Sequence, residues 1–450
     1  MLIEHLRGLF RRKFVQDTII LQIAKIGIVS LGALSTILVS RLMGPALFGV
    51  FGLADSFLSL WKTLDFTGIG MSTNTRLALA VGARDEDAAH RLMAFYVQVS
   101  LAMTVGLALL VALLGPPLAG IVQGDPHIGR LAAILALAGP ADAFYGLIVI
   151  AFQARRSMRS LALLQNARQF ILTSSLIIAV LISPTPESLV LARLIYAYVA
   201  MVAALFYYAQ QRSADGFTYP TMSAVVARAP RISPRPYWRF SVANAVDKNI
   251  ADLFIHVPLQ FVGAAGGETA AGYLSLALRG LNQAAFFTSA VFENMQAVVP
   301  QAVGRGAYAD LWRNFRQVLF ILLSGGALFY GAIALVAPLA VPPLFGEAWI
   351  PAVAVVVPLT IYGAITTAGG IFGPLYRAFG LMQQAILTKF AAVSIVALLG
   401  LLIVPSLRDA SAAAIAGAWM INLVFLFSTA GTAAFTLLAL RSKARAQTDG

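Results

Sequence analysis

Apolar stretches of about 20 residues, the length that carries a helix across a bilayer, recur twelve times along this chain. They lie near 17–42, 47–70, 91–114, 129–151, 160–182, 189–209, 240–262, 271–299, 317–341, 350–376, 384–404 and 412–439, and are separated where Gly, Pro and charge cluster. None alternates apolar and polar residues as a membrane barrel strand would, so each is expected to be a helix. Of the 450 residues, 59% are hydrophobic and 11% charged. A soluble domain carries about 25% charged residues, so this chain lacks the charge to wet a body of its size. The reading is an all-α polytopic membrane protein.

Thirty-two Lys and Arg against nineteen Asp and Glu leave a net charge of +13. A basic patch for nucleic acid needs a soluble face, so no nucleic-acid partner is expected. The surplus instead follows the positive-inside rule. With the first residues cytoplasmic, alternate loops collect Arg7, Arg11, Arg12 and Lys13, then Arg76, Arg84 and Arg91, Arg155, Arg156 and Arg159, Arg212, Arg228, Arg231, Arg235 and Arg239, Arg305, Arg313 and Arg316, Arg377 and Lys389, and finally Arg441, Lys443 and Arg445. The intervening loops, such as 183–188 and 263–269, hold almost none. Missing one helix would scramble this alternation for every later loop. Twelve spans with both termini cytoplasmic are therefore expected, in a bacterial inner membrane. The opening residues, Met1 to Lys13, are too charged for a signal-peptide core and read as an amphipathic lead-in.

The longest polar stretch, 210–239, is rich in Pro and Arg and reads as a cytoplasmic linker. It divides the chain into an amino-terminal six-helix lobe, 1–209, and a carboxy-terminal one, 240–450. The openings of the two lobes are related. Gly44-Pro-Ala-Leu-Phe-Gly-Val-Phe-Gly-Leu-Ala54 follows the first span; Gly263, then Ala270-Ala-Gly-Tyr-Leu-Ser-Leu-Ala277, follow the seventh. Two halves with the same sidedness are parallel repeats, a plan suited to alternating access around a central cavity. Such a 6+6 unit completes its own pathway, so a monomer is expected.

A few ionisable groups remain inside the spans, where an uncompensated charge costs at least ~2.5–3.5 kcal/mol and usually marks a pathway. On the seventh helix Asn244, Lys248, Asp252 and His256 recur every four residues, and Asp247 and Asn249 widen the stripe. Lys248 and Asp252 are placed to pair, so the stripe is either a neutral structural pair or the wall of an aqueous cavity. The eighth helix adds Arg279, Asn282, Gln283 and Glu293; the second adds Asp55, Lys62 and Asp65; the first carries Lys25. On the fifth, Arg168 sits between Gln165 and Gln169, with Asp142 of the fourth as its candidate counter-charge. Lys25, Lys62, Lys248 and Arg279, with Arg168, are the candidate substrate-binding cations, since cations clamp phosphate oxygens well. Asp55, Asn244, Asp252, His256, Asn282, Gln283 and Glu293 are candidate polar or ion-coupling groups. Lone His256 also reads as a satisfied interior histidine.

These residues resemble a known family. Arg41-Leu-Met-Gly-Pro-Ala-Leu-Phe-Gly49 is similar to the turn after the first helix of bacterial polysaccharide flippases. Asp65-Phe-Thr-Gly-Ile-Gly70 and Ala271-Gly-Tyr-Leu-Ser-Leu-Ala277 resemble their motifs at the end of the second helix and the start of the eighth. The resemblance implies a Wzx-like oligosaccharide flippase of the multidrug/oligosaccharidyl-lipid/polysaccharide (MOP) exporter superfamily, with a MOP/MATE-like fold. It implies that undecaprenyl-diphosphate-linked oligosaccharide moves from the cytoplasmic to the periplasmic leaflet, with membrane lipids around the protein; since no nucleotide motif is present, an H+ or Na+ gradient or the membrane potential is the expected driving force. The main alternative is a MATE-type ion-coupled multidrug exporter. A membrane polysaccharide polymerase is a weaker one, because 210–239 holds one acid, Asp215, and no His. The chain has no cysteine and no Walker A or Gly-rich nucleotide turn, so no enzyme, metal site or cofactor is expected.

Overall fold

The computed structural model describes residues 13–155, 157–214, 217–232, 242–284, 292, 295, 299, 302–303, 306–403, 406–407 and 409–448. Among the described residues ten helices are long and apolar enough to cross a membrane. Two of them, Lys25–Lys62 and Ala245–Ala284, each contain a glycine in the left-handed region, Gly44 (φ 71°) and Gly267 (φ 72°). These glycines fall in the turns expected between spans one and two and between spans seven and eight. Dividing both helices there gives twelve helical segments.

In chain order the helices are α1, Lys13–Lys62, with limbs α1a (13–43) and α1b (45–62); α2, Ile69–Gly82; α3, Glu86–Gln123; α4, Pro126–Ala136; α5, Gly139–Ala154; α6, Met158–Ile182; and α7, Pro186–Gln211. There follow α8, Met222–Arg228; α9, Val242–Ala284, with limbs α9a (242–266) and α9b (268–284); α10, Tyr308–Phe345; α11, Ile350–Gly369; α12, Phe372–Ala378; α13, Met382–Ile403; and α14, Ala410–Thr448. Span two is shorter than expected. It ends at Lys62, and α2 begins after a turn in which Asp65 Oδ1 accepts from the Thr67 amide (2.9 Å) and hydroxyl (2.5 Å). Gly68, with φ 53°, completes the turn. An Asp that bonds its own downstream backbone favours a turn over a continued helix.

The chain forms two compact units. One comprises the described parts of Met1–Val39, Asp65–Leu118 and Gly129–Ala245; the other comprises those of Ser40–Leu64, Ala119–Ile128 and Val246–Gly450. Limb α1b thus packs in the second unit although it lies early in the chain. In the first unit α5 packs on α2, α6 and α7 around Met93, Tyr145, Phe152 and Tyr208. In the second, α14 packs on α10, α11 and α13, with Phe315, Phe372 and Leu440 in one core cluster. The outward stripe of α10 shows Leu328 (76% exposed), Leu335 (78%) and Leu339 (77%). A stripe this apolar is stable against lipid and would aggregate in water. The chain is a multi-pass membrane protein.

The segment 210–239, expected as a cytoplasmic linker, is folded over its described part to Ile232. A two-residue hairpin, Ser213–Ala214 with Phe217–Thr218, leads into α8. Phe217, Tyr219 and Val225 are buried in the first unit's core cluster. The Tyr219 hydroxyl donates to the Ala151 carbonyl (2.8 Å), and Arg155 donates to the carbonyls of Gln211 (2.6 Å) and Arg212 (3.3 Å). Aromatic side chains at every second residue, Phe217 and Tyr219, anchor the segment in the first unit.

Burial pushes the Tyr219 phenol above its usual range, and the Arg155 guanidinium beside it pulls partly the other way. The folded segment therefore favours the protonated phenol. Its stability is complete below about pH 10, the ordinary tyrosine value, and falls as pH rises further toward the folded value. Tyr219→Phe is expected to cost about 1 kcal/mol for the lost hydrogen bond. Limited proteolysis within 210–232 should then run about fivefold faster near neutral pH. The wild type should show an added rise above about pH 10 that the Phe variant lacks.

Candidate functional site

The polar groups inside the apolar helices divide into three places, two in the second unit and one in the first. The first place is a seam along α1b. Its residues descend in number as their α9a partners ascend, so the two limbs run antiparallel. Gln260 Nε2 donates to the Leu53 carbonyl (3.2 Å), Ser56 Oγ lies 3.1 Å from His256 Nδ1, and Asn249 Nδ2 donates to the Thr63 carbonyl (2.8 Å). Gln123 Nε2 also donates to Gln260 Oε1 (2.7 Å). Side chains that bond a neighbouring helix hold it in register where water is scarce.

The expected stripe on the seventh helix is therefore not one continuous cavity wall. Asn249, His256 and Gln260 face α1b. Lys248 and Asp252 lie beside that face, exposed over 75% and 44% of their side chains, with Nζ 3.1 Å from Oδ2. Asp247 is on the opposite face, because two residues along a helix turn it by about 200°. Its side chain is 1% exposed. Its carboxylate accepts from Lys389 Nζ (2.6 Å), the Tyr376 hydroxyl (2.8 Å) and Arg377 (3.1 Å). Arg377 and Lys389, read from sequence as topology charges, are also the partners of a buried acid.

Between α1b and α9b the limbs run parallel and close. A Cβ on Gly49 would strike the Glu268 carbonyl, and one on Gly272 would strike the Pro45 carbonyl. A Cβ on Gly52 would meet the Ser275 side chain, with 3.0 Å to its Cβ. Gly49 follows Gly44 by five residues, and Gly272 follows Gly267 by five. In that register Pro45 matches Glu268, and Gly52 matches Ser275. The two contacts are thus reciprocal: each repeat's glycine meets the other's carbonyl, with the Gly52–Ser275 pair between them. In the same register Gly267 is the counterpart of Gly44, and Leu53-Ala54 of Leu276-Ala277. One turn further, Arg279 NH2 lies 3.6 Å from Asp55 Oδ2 and its guanidinium sits over Phe48 and Phe51, 5.3 Å from each ring centroid. Trp349, 1% exposed, anchors the far end through Nε1 to the Ser40 carbonyl (3.1 Å). Nothing in the sequence alone singled out Trp349.

The third place lies in the first unit. Arg168 of α6 donates from NH2 to Asp142 Oδ1 (2.5 Å) and from Nε to the Tyr196 hydroxyl (3.1 Å), and its guanidinium covers the Tyr145 ring at 4.3 Å. A cavity of about 380 Å³ opens beside this group. Helices α1a and α6 close tightly near it: a Cβ on Gly27 would come within 2.7 Å of Asn166 Oδ1, and Thr173 donates to the Leu31 carbonyl (3.1 Å).

The remaining candidates are scattered. Asn282 accepts from the Tyr362 hydroxyl (2.9 Å), and Gln283 is half-buried on α9b. Lys62 is exposed at the end of α1b, and Lys25 is half-buried on α1a. The Asn244 side chain and Glu293 lie outside the described residues. The expected local surplus of cations is not what the geometry gives at three of the five candidates. Arg168, Lys248 and Arg279 each have a carboxylate partner. Among the described residues no three His, Asp or Glu converge as metal ligands.

This architecture is that of a known class of membrane protein. The inward-facing structure of a multidrug resistance MATE family transporter of the MOP superfamily is similar over 94% of this chain and 99% of that one, with a TM-score of 0.74 and 14% identity. An outward-facing structure of such a transporter matches 97% of this chain and 98% of its own, with a TM-score of 0.62 and 16% identity. A MOP superfamily transporter from Pyrococcus furiosus, described as having reverse polarity of its binding pocket, matches 96% of both chains with a TM-score of 0.62 and 15% identity. The fold is MOP/MATE-like. The MatE family model matches residues 21–165, and no curated protein matches the sequence.

Proposed function

We propose that the chain is an alternating-access transporter of the MATE type, moving an amphipathic solute across the membrane and driven by an H+ or Na+ gradient. The reciprocal contact of Gly49 and Gly272 carries this reading. Equivalent helices of two repeats meet backbone to backbone at the two glycines, with the Arg279–Asp55 pair one turn further. Such a joint parts and re-forms as a unit. The MatE match over 21–165 and the fold shared with MATE transporters support the same reading, more directly than they support oligosaccharide flipping.

One observation favours the second reading, transfer of a lipid-linked oligosaccharide. Asp55, Asp142, Asp247 and Asp252 each have a cationic partner. An organic cation bound at this depth would need to displace that partner or remain without a counter-charge, which is costly in a low-dielectric site. A solute that is neutral or anionic at its head meets no such demand.

The test is sealed proteoliposomes offered a rhodamine-type cationic dye, a neutral aryl glycoside and a polyprenyl-diphosphate-linked glycan. At least one should accumulate under an imposed H+ or Na+ gradient and stop when the gradient is collapsed. Movement unaffected by collapse would contradict ion coupling, and movement of the glycan alone would select the second reading. Arg279→Glu sets a carboxylate against Asp55 and removes the cation from Phe48 and Phe51. Transport should fall at least about tenfold, the equivalent of ~1.4 kcal/mol, with normal membrane expression. Lys248→Ala, at a more exposed pair, should have a smaller effect.

A further inference from the structure

Helices α10 and α14 are longer than a bilayer requires. Their 38 and 39 residues extend about 57–59 Å at 1.5 Å per residue, against a hydrocarbon core of about 30 Å. In the second unit they meet where α10 begins and α14 ends. Lys443 Nζ lies 5.2 Å from the centroid of the Tyr308 ring and 5.7 Å from that of Phe379. Leu440, one turn earlier on α14, is fully buried in the cluster that holds Phe315.

The lipid-facing stripes of both helices end in cations at this corner. On α10, Phe320 (72% exposed) and Leu323 (51%) each follow an exposed arginine by seven residues, Arg313 and Arg316. Seven residues are two turns along one face. On α14, Leu438 (67% exposed) is followed within one turn by Arg441, also exposed. The Arg316 guanidinium lies 5.8 Å from the centroid of Trp312. Tyr and Trp rings gather at the depth of the lipid head groups, so the rings and the cations mark that level together.

Several cations at other helix ends are already satisfied. Arg91 and Arg228 share Asp87, and Arg377 and Lys389 share Asp247. At this corner Asp310 pairs with Arg313 (2.7 Å). Among the described residues no carboxylate pairs with Arg316, Arg441 or Lys443. Basic side chains clustered at the end of a membrane helix attract anionic lipid. An acidic segment of a soluble protein would match the charge but leave the adjoining apolar stripes to something else. An amphiphile with a phosphate and acyl chains matches both. A zwitterionic lipid brings its own ammonium to its phosphate and gains less from the corner.

We propose that the corner formed by the start of α10 and the end of α14 binds an anionic phospholipid. Arg316, Arg441 and Lys443 supply the charge for its head group, and the stripes beginning at Phe320 and Leu438 receive its chains. The lipid ties the two helix ends together beside the contact that Lys443 makes with the rings.

The experiment places the full chain in nanodiscs of phosphatidylcholine alone and of phosphatidylcholine mixed with phosphatidylglycerol. Retained lipid is read by native mass spectrometry and stability by thermal unfolding. Phosphatidylglycerol should be retained in preference to phosphatidylcholine and should raise the thermal midpoint, since a ligand bound by the folded state alone stabilises it. Arg316→Gln with Arg441→Gln should cut the preference at least about tenfold and abolish the rise, with the midpoint in phosphatidylcholine unchanged. Arg316→Lys with Arg441→Lys keeps the charge and should keep most of both effects. Arg84→Gln with Arg231→Gln removes the same charge from exposed turns of the first unit and should leave both intact. Equal retention of the two lipids would overturn the proposal. So would an equal loss in the Arg84/Arg231 variant, which would assign the effect to overall charge. The same rise produced by inorganic phosphate in phosphatidylcholine discs would assign the corner to a soluble anion instead of a lipid.

Discussion

Gly272→Ala is expected to abolish transport and to lower the thermal midpoint of the purified protein sharply. The new Cβ would strike the Pro45 carbonyl, which is backbone and cannot rotate away. The reciprocal Gly49→Ala would strike the Glu268 carbonyl. Overpacking a close helix contact costs about 1–3 kcal/mol and occasionally more. Here the only relief is to move one limb off the other, so the cost should lie at or above the top of that range. Small residues are what permit such an approach between membrane helices. Gly106→Ala is the control, since nothing lies within 4 Å of its added Cβ. That variant should fold and transport as well as the wild type. A Gly272→Ala protein with normal stability and transport would remove the reciprocal joint from the fold.

Asp247→Ala should be the most damaging change away from the joint. The carboxylate is 1% exposed and accepts from Lys389, Arg377 and Tyr376. Removing it leaves Lys389, only 14% exposed, with an uncompensated charge, a change that costs about 3–5 kcal/mol when one partner of a buried pair is lost. Arg377, 37% exposed, can turn to water and should contribute little to the loss. The double variant Asp247→Leu with Lys389→Met replaces the closest pair by apolar groups of similar size. It should recover more than half of the lost stability. Thermal unfolding of the four proteins in a double-mutant cycle measures this coupling. Equal losses in the single and double variants would show that the pair does not act as a unit.

Much of the fold was legible in the sequence because span length and hydropathy are local properties. The twelve segments follow from apolar runs and from where Arg and Lys collect. The break at Gly44 was visible in its Gly-Pro turn. The turn between spans seven and eight was legible as the Gly-rich loop 263–269, but not which of its glycines takes positive φ; the five-residue interval to Gly49 and to Gly272 selects Gly267. The stripe on α9a was legible as polarity but not as direction. Helical geometry alone places Asp247 and Asn249 on opposing faces, and that signal was available. What lay beyond sequence was partnership across the fold. Asp247 and Lys389 are 142 residues apart, and no local pattern links a carboxylate to its cation at such range; the Arg168–Asp142 pair was legible because both charges lie inside apolar spans. Arg279, for which the sequence named no partner, is paired with Asp55, whereas the Lys248–Asp252 and Arg168–Asp142 pairs were among the alternatives that the sequence offered.

The joint between α1b and α9b gives the most direct test of transport by alternating access. The chain has no cysteine, so Gly52→Cys with Ser275→Cys introduces two thiols without background. A Cβ on Gly52 would lie 3.0 Å from the Ser275 Cβ, slightly inside the ~3.5–4.5 Å span of natural disulfides, and the hydroxyl it would meet is replaced by the bonded sulfur. Solute movement is then measured in proteoliposomes containing the reduced, oxidised and re-reduced protein, with the extent of cross-linking read by mass. Transport should proceed in the reduced protein, stop when the bond forms and return when it is cleaved. Undiminished transport with the cross-link complete would contradict the proposed cycle, because the joint would then have no need to part.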